Sequence, residues 1–484
     1  MPESEKSLLR FAKKNSFEIL IVLVTLGGTF LRFLLWDIVS SDMAVYLRWY
    51  GRAEECGGIP GLYELGQRIK GYNAAFQFVI ALLTHLPGDG LYKMKALWTA
   101  FDLLLATGLG TLVYELGQRI KGYNAAFQFV IALLTHLPGD GLYKMKALWT
   151  AFDLLLATGL WTLVYELRGG KKAGERNITA FRDATAAYAL CYLCPVVFLN
   201  SSAWGQSDSV YVALIVWSLV WLRREKYLGS FLLLGLSLAF KLQTVFILPF
   251  FGFYYLYKKS FSLLYFLALP GVFLASALPR QLIHLIAPIK AAASAAAPSA
   301  AASAQQAAQG LPNILTVYIG QSSSGSRRCM EYPGFWSFLP DEEAGAEGFA
   351  DFFKFRNAAI VFCFALLVLL LILFLKQRRE ANVMFLYAAF LLSFTTVFFL
   401  PCMLDRYGYL YEVLALALVF LDKRTIVPAL SLHLIMSYVI AGRVGMEMYH
   451  VPMRFLGFLM MLVYAAYLYL FFAKKKEGTG NAGV

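Results

Sequence analysis

Charge is scarce in this chain: Asp, Glu, Lys and Arg make up 15% of its 484 residues and apolar types 59%. A soluble protein carries about a quarter charged residues, so this balance excludes water as the principal solvent. Histidine is scarcer still. The five histidines, His85, His136, His284, His433 and His450, have no ligand spacing, which argues against a histidine metal site. Of six cysteines, Cys191 and Cys194 form a C-x-x-C inside an apolar stretch without a second pair, a pattern that fits packing better than zinc or redox chemistry. No Walker A loop, GxGxxG or GxSxG is present; ATP-driven transport and dinucleotide chemistry find no support.

What the chain has instead is apolar length. Stretches 17–36, 178–199, 358–375, 383–400 and 455–473 each approach the roughly 20 residues of helix that cross a bilayer. The first lies behind a basic N-terminus, but it is longer than the core of a typical signal peptide and no small-residue cleavage site follows, so it reads as a retained span. The formal net charge is +13. Its basic residues fall in short runs (6–14, 168–176, 223–226, 258–259, 376–379, 423–424 and 474–476) that flank the apolar segments. Cytoplasmic loops of membrane proteins look like this; the basicity reports topology and does not imply nucleic acid.

Placing every basic run on the cytoplasmic side gives a pattern whose parity closes. Span 17–36 exits into a first outer loop, 37–96, and a span ending near 167 returns; 178–199 exits and 208–222 returns. The apolar stretch between Lys226 and Lys258 begins and ends on the same side, which requires a hairpin with its apex near position 242, beside Lys241 and Gln243. That apex keeps the lysine at the outer face and out of mid-bilayer. Span 261–286 then exits into an outer region, 288–355, whose Ala/Ser-rich insert 291–309 is low in complexity and carries no chemistry. Further spans follow at 358–375, 383–400, 409–421, 426–441 and 455–473. The fold expected is one all-α domain over 1–484: a polytopic transmembrane helical bundle of about 12 to 14 spans with a helical first outer loop and both termini cytoplasmic.

One region complicates the count. Residues 63–116 and 114–167 are identical except for Gly110 against Trp161, an offset of 51 residues. Repeats used as structural units diverge, so such identity indicates a recent tandem duplication or a sequence-assembly error. Each copy holds a short apolar helix (74–86; 125–137) and a longer one (96–114; 147–165). If only the longer helix crossed, an extra copy would invert everything downstream. Either 125–137 is therefore pressed into service as a thin crossing, or one copy stays outside the bundle.

With sidedness assigned, polar clusters converge on the outer face. Asp42 lies in the loop after the first span, in SSDMAVY; Asn200, Trp204, Gln206 and Asp208 lie in NSSAWGQSDS; Lys241 and Gln243 lie at the hairpin apex. Asp405, Arg406 and Tyr407 lie in PCMLDRYGY, and Lys146, with its copy Lys95, precedes a span from the same side. Taken singly each is an ordinary interfacial residue. Scattered interfacial residues would divide between the two faces, and these do not. The set holds carboxylates able to act as a base and cations able to hold a phosphate. It needs no soluble cofactor, and a divalent metal is left open. Asp102 and Asp153, in apolar helices, are either functional or buried partners of another helix.

These residues resemble the bacterial integral-membrane mannosyltransferases related to the eukaryotic GPI-anchor mannosyltransferase II, within the GT-C glycosyltransferase superfamily. CPVVFLNSSAWGQSDSVY and AFKLQTVFILPF are similar to that family's N-S-x-x-W-G-Q-x-D-S and F-K-L-Q segments; FLPCMLDRYGYL is similar to P-x-M-H-E-R-Y, and SDMAVYLRWY with Gly57 and Gly58 to its first-loop motif. Departures are Leu404-Asp405 where the family has His-Glu, and Met43 where it has an aromatic. The resemblance implies a GT-C-like fold in the cytoplasmic membrane and transfer of a hexose, mannose by the family's habit, from a polyprenyl-phosphate donor to an acceptor hydroxyl, with inversion. The acceptor would be a glycolipid, glycan or protein. Asp42 would be the general base; Lys241, Arg406 and Lys146 would hold the donor phosphate; Asn200, Trp204, Gln206, Asp208, Gln243, Asp405 and Tyr407 would position sugar or loop. The alternative is a lipid-linked sugar flippase or secondary transporter, which calls for ionisable residues near the midplane and broken helices.

The duplication is testable. If the second short helix crosses, cysteines placed at Gln118 and Gln128 differ in their labelling from the two sides of a sealed vesicle; reactivity of both from the outside alone rules the extra crossing out.

Overall fold

The computed structural model describes residues 15–36, 38–40, 44, 134, 140–172, 175–276, 330–339, 349–445 and 451–473. Asp42 and the rest of the loop 37–96 apart from 38–40 and 44, the first copy of the duplication, the short helix 125–137 apart from 134, and the insert 291–309 lie outside the described residues.

The described chain is helical apart from a two-residue antiparallel ladder, Lys171–Lys172 with Glu175–Arg176. In order the helices are α1 (Ser16–Leu34), α2 (Gly141–Leu167), α3 (Ile178–Tyr192), α4 (Pro195–Phe198, continued by a π-helical turn, Leu199–Trp204), α5 (Asp208–Arg223), α6 (Tyr227–Phe240), α7 (Leu248–Lys258) and α8 (Leu263–Ser276, opening as a 3-10 turn). After 330–339 come α9 (Phe349–Lys376), α10 (Ala381–Phe399), α11 (Tyr409–Leu421), α12 (Ile426–Arg443) and α13 (Met453–Phe472). The hairpin expected over 226–258 is α6 and α7, and its apex is an extended Lys241 followed by a 3-10 turn, Leu242–Ile247.

Among the described residues six helices are long and apolar enough to cross a membrane: α1, α2, α9, α10, α12 and α13. They become seven if α3 and α4, bent by 44° at their junction, count as one broken span. The straight span expected at 178–199 is this bent pair. Its break has a local cause: Pro195 supplies no N–H and starts a new helix, with Cys194 extended before it. The outer helices turn large apolar side chains outward, with Leu26, Phe30, Val361 and Phe364 all more than 60% exposed. That band is unfavourable in water and neutral in hydrocarbon. α10, by contrast, is 83% buried across its span. α5 and α11 sit beside it in the core, α11 touching α2, α3, α5, α10 and α12.

The bundle has two different ends. At one, the basic runs of the sequence pair locally: Arg168 with Asp183 (2.9 Å), Arg224 with Glu166 (2.6 Å) and Arg424 with Asp422 (2.6 Å). Burial works against ionisation of Asp422, but hydrogen bonds from Arg424 and Tyr387 outweigh it and hold the carboxyl below its ordinary value. The α1–α2 contact, the π-helical turn, the α6–α7 turn and the 400–408 loop meet at the opposite end.

One ion pair lies within the apolar layer. Arg32 Nε meets Asp153 Oδ2 at 2.8 Å, both side chains 0% exposed. The guanidinium lies 3.8 Å from the centroid of the Tyr192 ring, and Ser201 Oγ donates to the same carboxylate oxygen at 2.6 Å. Asp153 is thus the buried partner of a helix polar group, tying α1 to α2 and to the π-helical turn. Cys191 and Cys194 are both buried, free thiols packed in the core. Removing one charge of such a pair strands the other, at a cost of about 3 kcal/mol or more. In unfolding measurements on detergent-solubilised protein, Asp153→Leu is expected to lose at least this much and the double variant Arg32→Leu/Asp153→Leu less than the single; additive losses would mean that the pair does not couple.

Candidate functional site

The segment between α3 and α5 builds most of the site. The six-residue π-helical turn, Leu199–Trp204, ends on Gly205 at φ 78°, a left-handed conformation that a side chain would strain by about 1–2 kcal/mol. Reversal at Gly205 brings the Gln206 N–H back to the Asn200 carbonyl at 2.9 Å and sets Asp208 on the first residue of α5. A carboxylate at a helix N-terminus is favoured by the helix dipole. π-turns of this kind are uncommon and cluster at functional positions.

Asp208 is 1% exposed and collects three partners. Lys241 Nζ lies 2.6 Å from Oδ1, Asn200 Nδ2 donates to Oδ2 at 3.0 Å, and Arg406 Nε lies 3.9 Å from Oδ2. The Arg406 guanidinium also faces the Trp204 ring, 5.4 Å from its centroid, and lies 3.8 Å from Asp405. Tyr407 bonds Gln243 and packs against Phe246 with ring centroids 5.8 Å apart. Burial, the largest influence, pushes the Tyr407 phenol above its ordinary range. Asn200, Trp204, Gln206, Asp208, Lys241, Gln243, Asp405, Arg406 and Tyr407 therefore come together from three separate stretches of chain. Asp42 lies outside the described residues.

Lys146 has a different position from the one expected of a phosphate ligand. Its side chain is 0% exposed, and Nζ donates to the carbonyls of Leu35 (3.2 Å) and Ile38 (2.6 Å), just past the end of α1. Ser40 Oγ donates to the Trp204 carbonyl at 2.5 Å. Together these bonds clamp the start of the first loop onto the π-helical turn. The lysine sits one turn into α2, where Asp140 caps the helix by accepting the Leu142 N–H.

Two charged residues of the site carried no motif. Arg443, at the end of α12, reaches Asp405 at 3.3 Å and Glu331 at 2.7 Å. Lys241, Arg406 and Arg443 thus stand against Asp208, Asp405 and Glu331, a site close to neutral. One layer deeper, Glu412 in the first turn of α11 is 1% exposed and lies within electrostatic reach of Asp208 and of His433 on α12. A lone carboxyl in an apolar helix is a visible signal, equal in kind to the one Asp153 carried. Among the described residues no group of three or more His, Cys, Asp or Glu is arranged to hold a metal ion.

No protein-family profile matches this chain, and no characterised protein matches it in sequence.

Lys146→Met removes both hydrogen bonds to the loop, each worth about 1.5–3 kcal/mol for a charged donor. Amide exchange at 36–40 is expected to speed up by about an order of magnitude or more, while Lys241→Met leaves those amides unchanged. Equal exchange in parent and Lys146→Met would show that the lysine does not clamp the loop.

Proposed function

We propose that the protein is a membrane glycosyltransferase that moves a hexose, mannose by its family resemblance, from a polyprenyl-phosphate carrier to an acceptor hydroxyl. The observation that carries this reading is the convergence of Lys241 and Arg406 on Asp208 beside Trp204, at the end of the bundle opposite the basic runs. Under the positive-inside rule that end faces outward from the cytoplasmic membrane and both termini face the cytoplasm. A lipid-linked donor accounts for a site built at a membrane surface from helix ends.

The chemistry follows from charge. The bond between the anomeric carbon and the phosphate oxygen breaks, the leaving phosphate gains negative charge, and a cation already in place stabilises it without reorganisation. Lys241 and Arg406 take that role, with the guanidinium fork suited to two phosphate oxygens. Lys146, bonded to two carbonyls, serves the loop. Attack by the acceptor oxygen from the opposite side inverts the anomeric centre, and its proton passes to a carboxylate base, assigned to Asp42. Asp42 stands two residues after Ser40, which is bonded to Trp204 in the site. Trp204, Gln206, Asn200, Gln243, Asp405 and Tyr407 position sugar and loops.

A second reading, a lipid-linked sugar flippase or secondary transporter, draws support from specific features. Arg32–Asp153 and Glu412 beside His433 are buried ionisable groups inside the helical layer, and α3–α4 is a broken helix. The two readings part on catalysis, since a transporter moves the lipid-linked sugar without breaking its bond to phosphate.

The decisive measurement is radiolabel transfer from polyprenyl-phosphate mannose or glucose to a membrane glycolipid pool by purified protein. Asp42→Asn is expected to lose activity by about 10²–10⁴-fold, the usual contribution of a general base; full activity removes Asp42 from the mechanism. Lys241→Met is expected to raise the donor KM by at least tenfold, the effect of one lost charge-assisted hydrogen bond of about 1.5–3 kcal/mol, and an unchanged KM counts against the phosphate assignment.

A further inference from the structure

Beneath the Lys241–Asp208–Arg406 layer lies a set of polar groups that the protein leaves without partners. Glu412 is 1% exposed, and neither carboxyl oxygen makes a hydrogen bond. The Tyr211 and Tyr409 hydroxyls, Ser207 Oγ and Asn200 Oδ1 are buried in the same condition. They come from the π-helical turn of α4, the residues between it and α5, the first turn of α5 and the first turn of α11. Tyr211 lies within electrostatic reach of Asp208, Glu412, Tyr407 and Arg406, and Tyr409 stands between Asp208 and the deeper Asp153–Arg32 pair, within reach of both.

The direction of the Glu412 carboxyl matters. Helical side chains lean toward the helix N-terminus, and Glu412 folds back so far that a Cβ on Gly408 would collide with its Oε1. Its carboxyl is therefore turned toward Gly408 at the N-terminal end of α11, within electrostatic reach of His433 and Asp208. Folded proteins satisfy nearly all their buried polar atoms, and an orphaned carboxyl costs several kcal/mol when its charge has no partner. Five such groups gathered around the N-terminal ends of α5 and α11 are the pattern of a binding site whose ligand supplies the missing bonds.

The types of group identify the ligand. Asn200 Oδ1 accepts hydrogen bonds only, the Glu412 carboxyl accepts them when ionised and also donates one when protonated, and the three hydroxyls both donate and accept. A cation would satisfy the carboxylate and leave the hydroxyl donors unused, and a second phosphate would be repelled by it. A polyhydroxylated ring fits all five. In the lipid-linked donor the hexose is joined directly to the phosphate, so a phosphate held by Lys241 and Arg406 carries the ring into the adjoining layer.

We propose that Glu412, Tyr211 and Tyr409 read the hydroxyls of the donor's hexose and are the groups that set which sugar is accepted. This rests on the donor-phosphate assignment above. A buried site built to bond hydroxyls rejects an analogue that lacks one far more strongly than an apolar pocket rejects an extra methylene, because its own groups are then left bare.

The test is a binding comparison on the purified full chain, read as the ligand-induced rise in unfolding temperature, using polyprenyl-phosphate mannose and bare polyprenyl phosphate. The parent is expected to bind the sugar-bearing lipid at least tenfold more tightly than the bare one. Glu412→Gln should lower that preference on the order of tenfold to a hundredfold, for loss of a charged hydrogen-bond acceptor, and leave affinity for bare polyprenyl phosphate unchanged. Tyr409→Phe, which keeps the ring and the packing, should lower the same preference and provides the measurement if Glu412→Gln fails to fold. Lys241→Met should weaken both lipids equally. An unchanged preference in Glu412→Gln or Tyr409→Phe overturns the proposal and assigns these groups to internal water. So does a parent that binds neither lipid. Sugar-dependent binding with no transfer in the radiolabel assay would leave the hexose site standing while the transferase reading fell.

Discussion

Asp208 gathers the end of the bundle that matters. Its carboxylate, on the N-terminus of a largely buried helix, is held by a lysine from the α6–α7 turn and an asparagine from the π-helical turn, with an arginine from the 400–408 loop close by. None of these segments is a complete helix at the point of contact. Non-helical backbone is tolerated at membrane depth only where its polar groups are satisfied from within the protein. The carboxylate, its cations and their neighbours meet that demand, and Lys146 meets it for the carbonyls following α1.

The site sits above a layer in which charge is more confined. Arg32–Asp153 is a closed ion pair supported by Ser201 and Tyr192, with Arg32 Nη2 and Asp153 Oδ1 making no hydrogen bond of their own, and it fixes α1 against the α2 helix and the π-helical turn. Neither carboxyl oxygen of Glu412 makes a hydrogen bond. The first arrangement is structural: both charges are neutralised, and each element is held to the next. The second is the arrangement on which the proposed hexose site rests. A buried acid in a membrane helix is compatible with transport or with recognition, and the turn of the Glu412 carboxyl back toward Gly408, on the Asp208 end of α11, favours recognition.

Much of this was legible in the residues. The period and length of the apolar stretches marked α1, α10, α11, α12 and α13 to within a few positions, because in hydrocarbon a helix is defined by composition alone. The Lys226 to Lys258 stretch announced a hairpin, since both its ends are basic and a mid-bilayer lysine is unfavourable. The bend between α3 and α4 was less visible. Cys194-Pro195 is a helix break in its own right, but an apolar run across it reads as continuous. Glu331 and Arg443 were not legible at all, because each becomes part of the site only through the other and through Asp405.

The sequence by itself determined that long apolar helices dominate the chain, with short basic runs between them and polar clusters at their other ends, because hydropathy and charge act residue by residue and need no partner to be read. Only the tertiary structure decided what each polar residue does. It made Lys146 a clamp on the first loop, Asp153 the partner of Arg32, and Glu412 a carboxyl without a partner. A buried charge takes its role from whatever stands within about 4 Å of it, and that neighbour lies more than a hundred residues away in sequence for Lys146 and for Asp153.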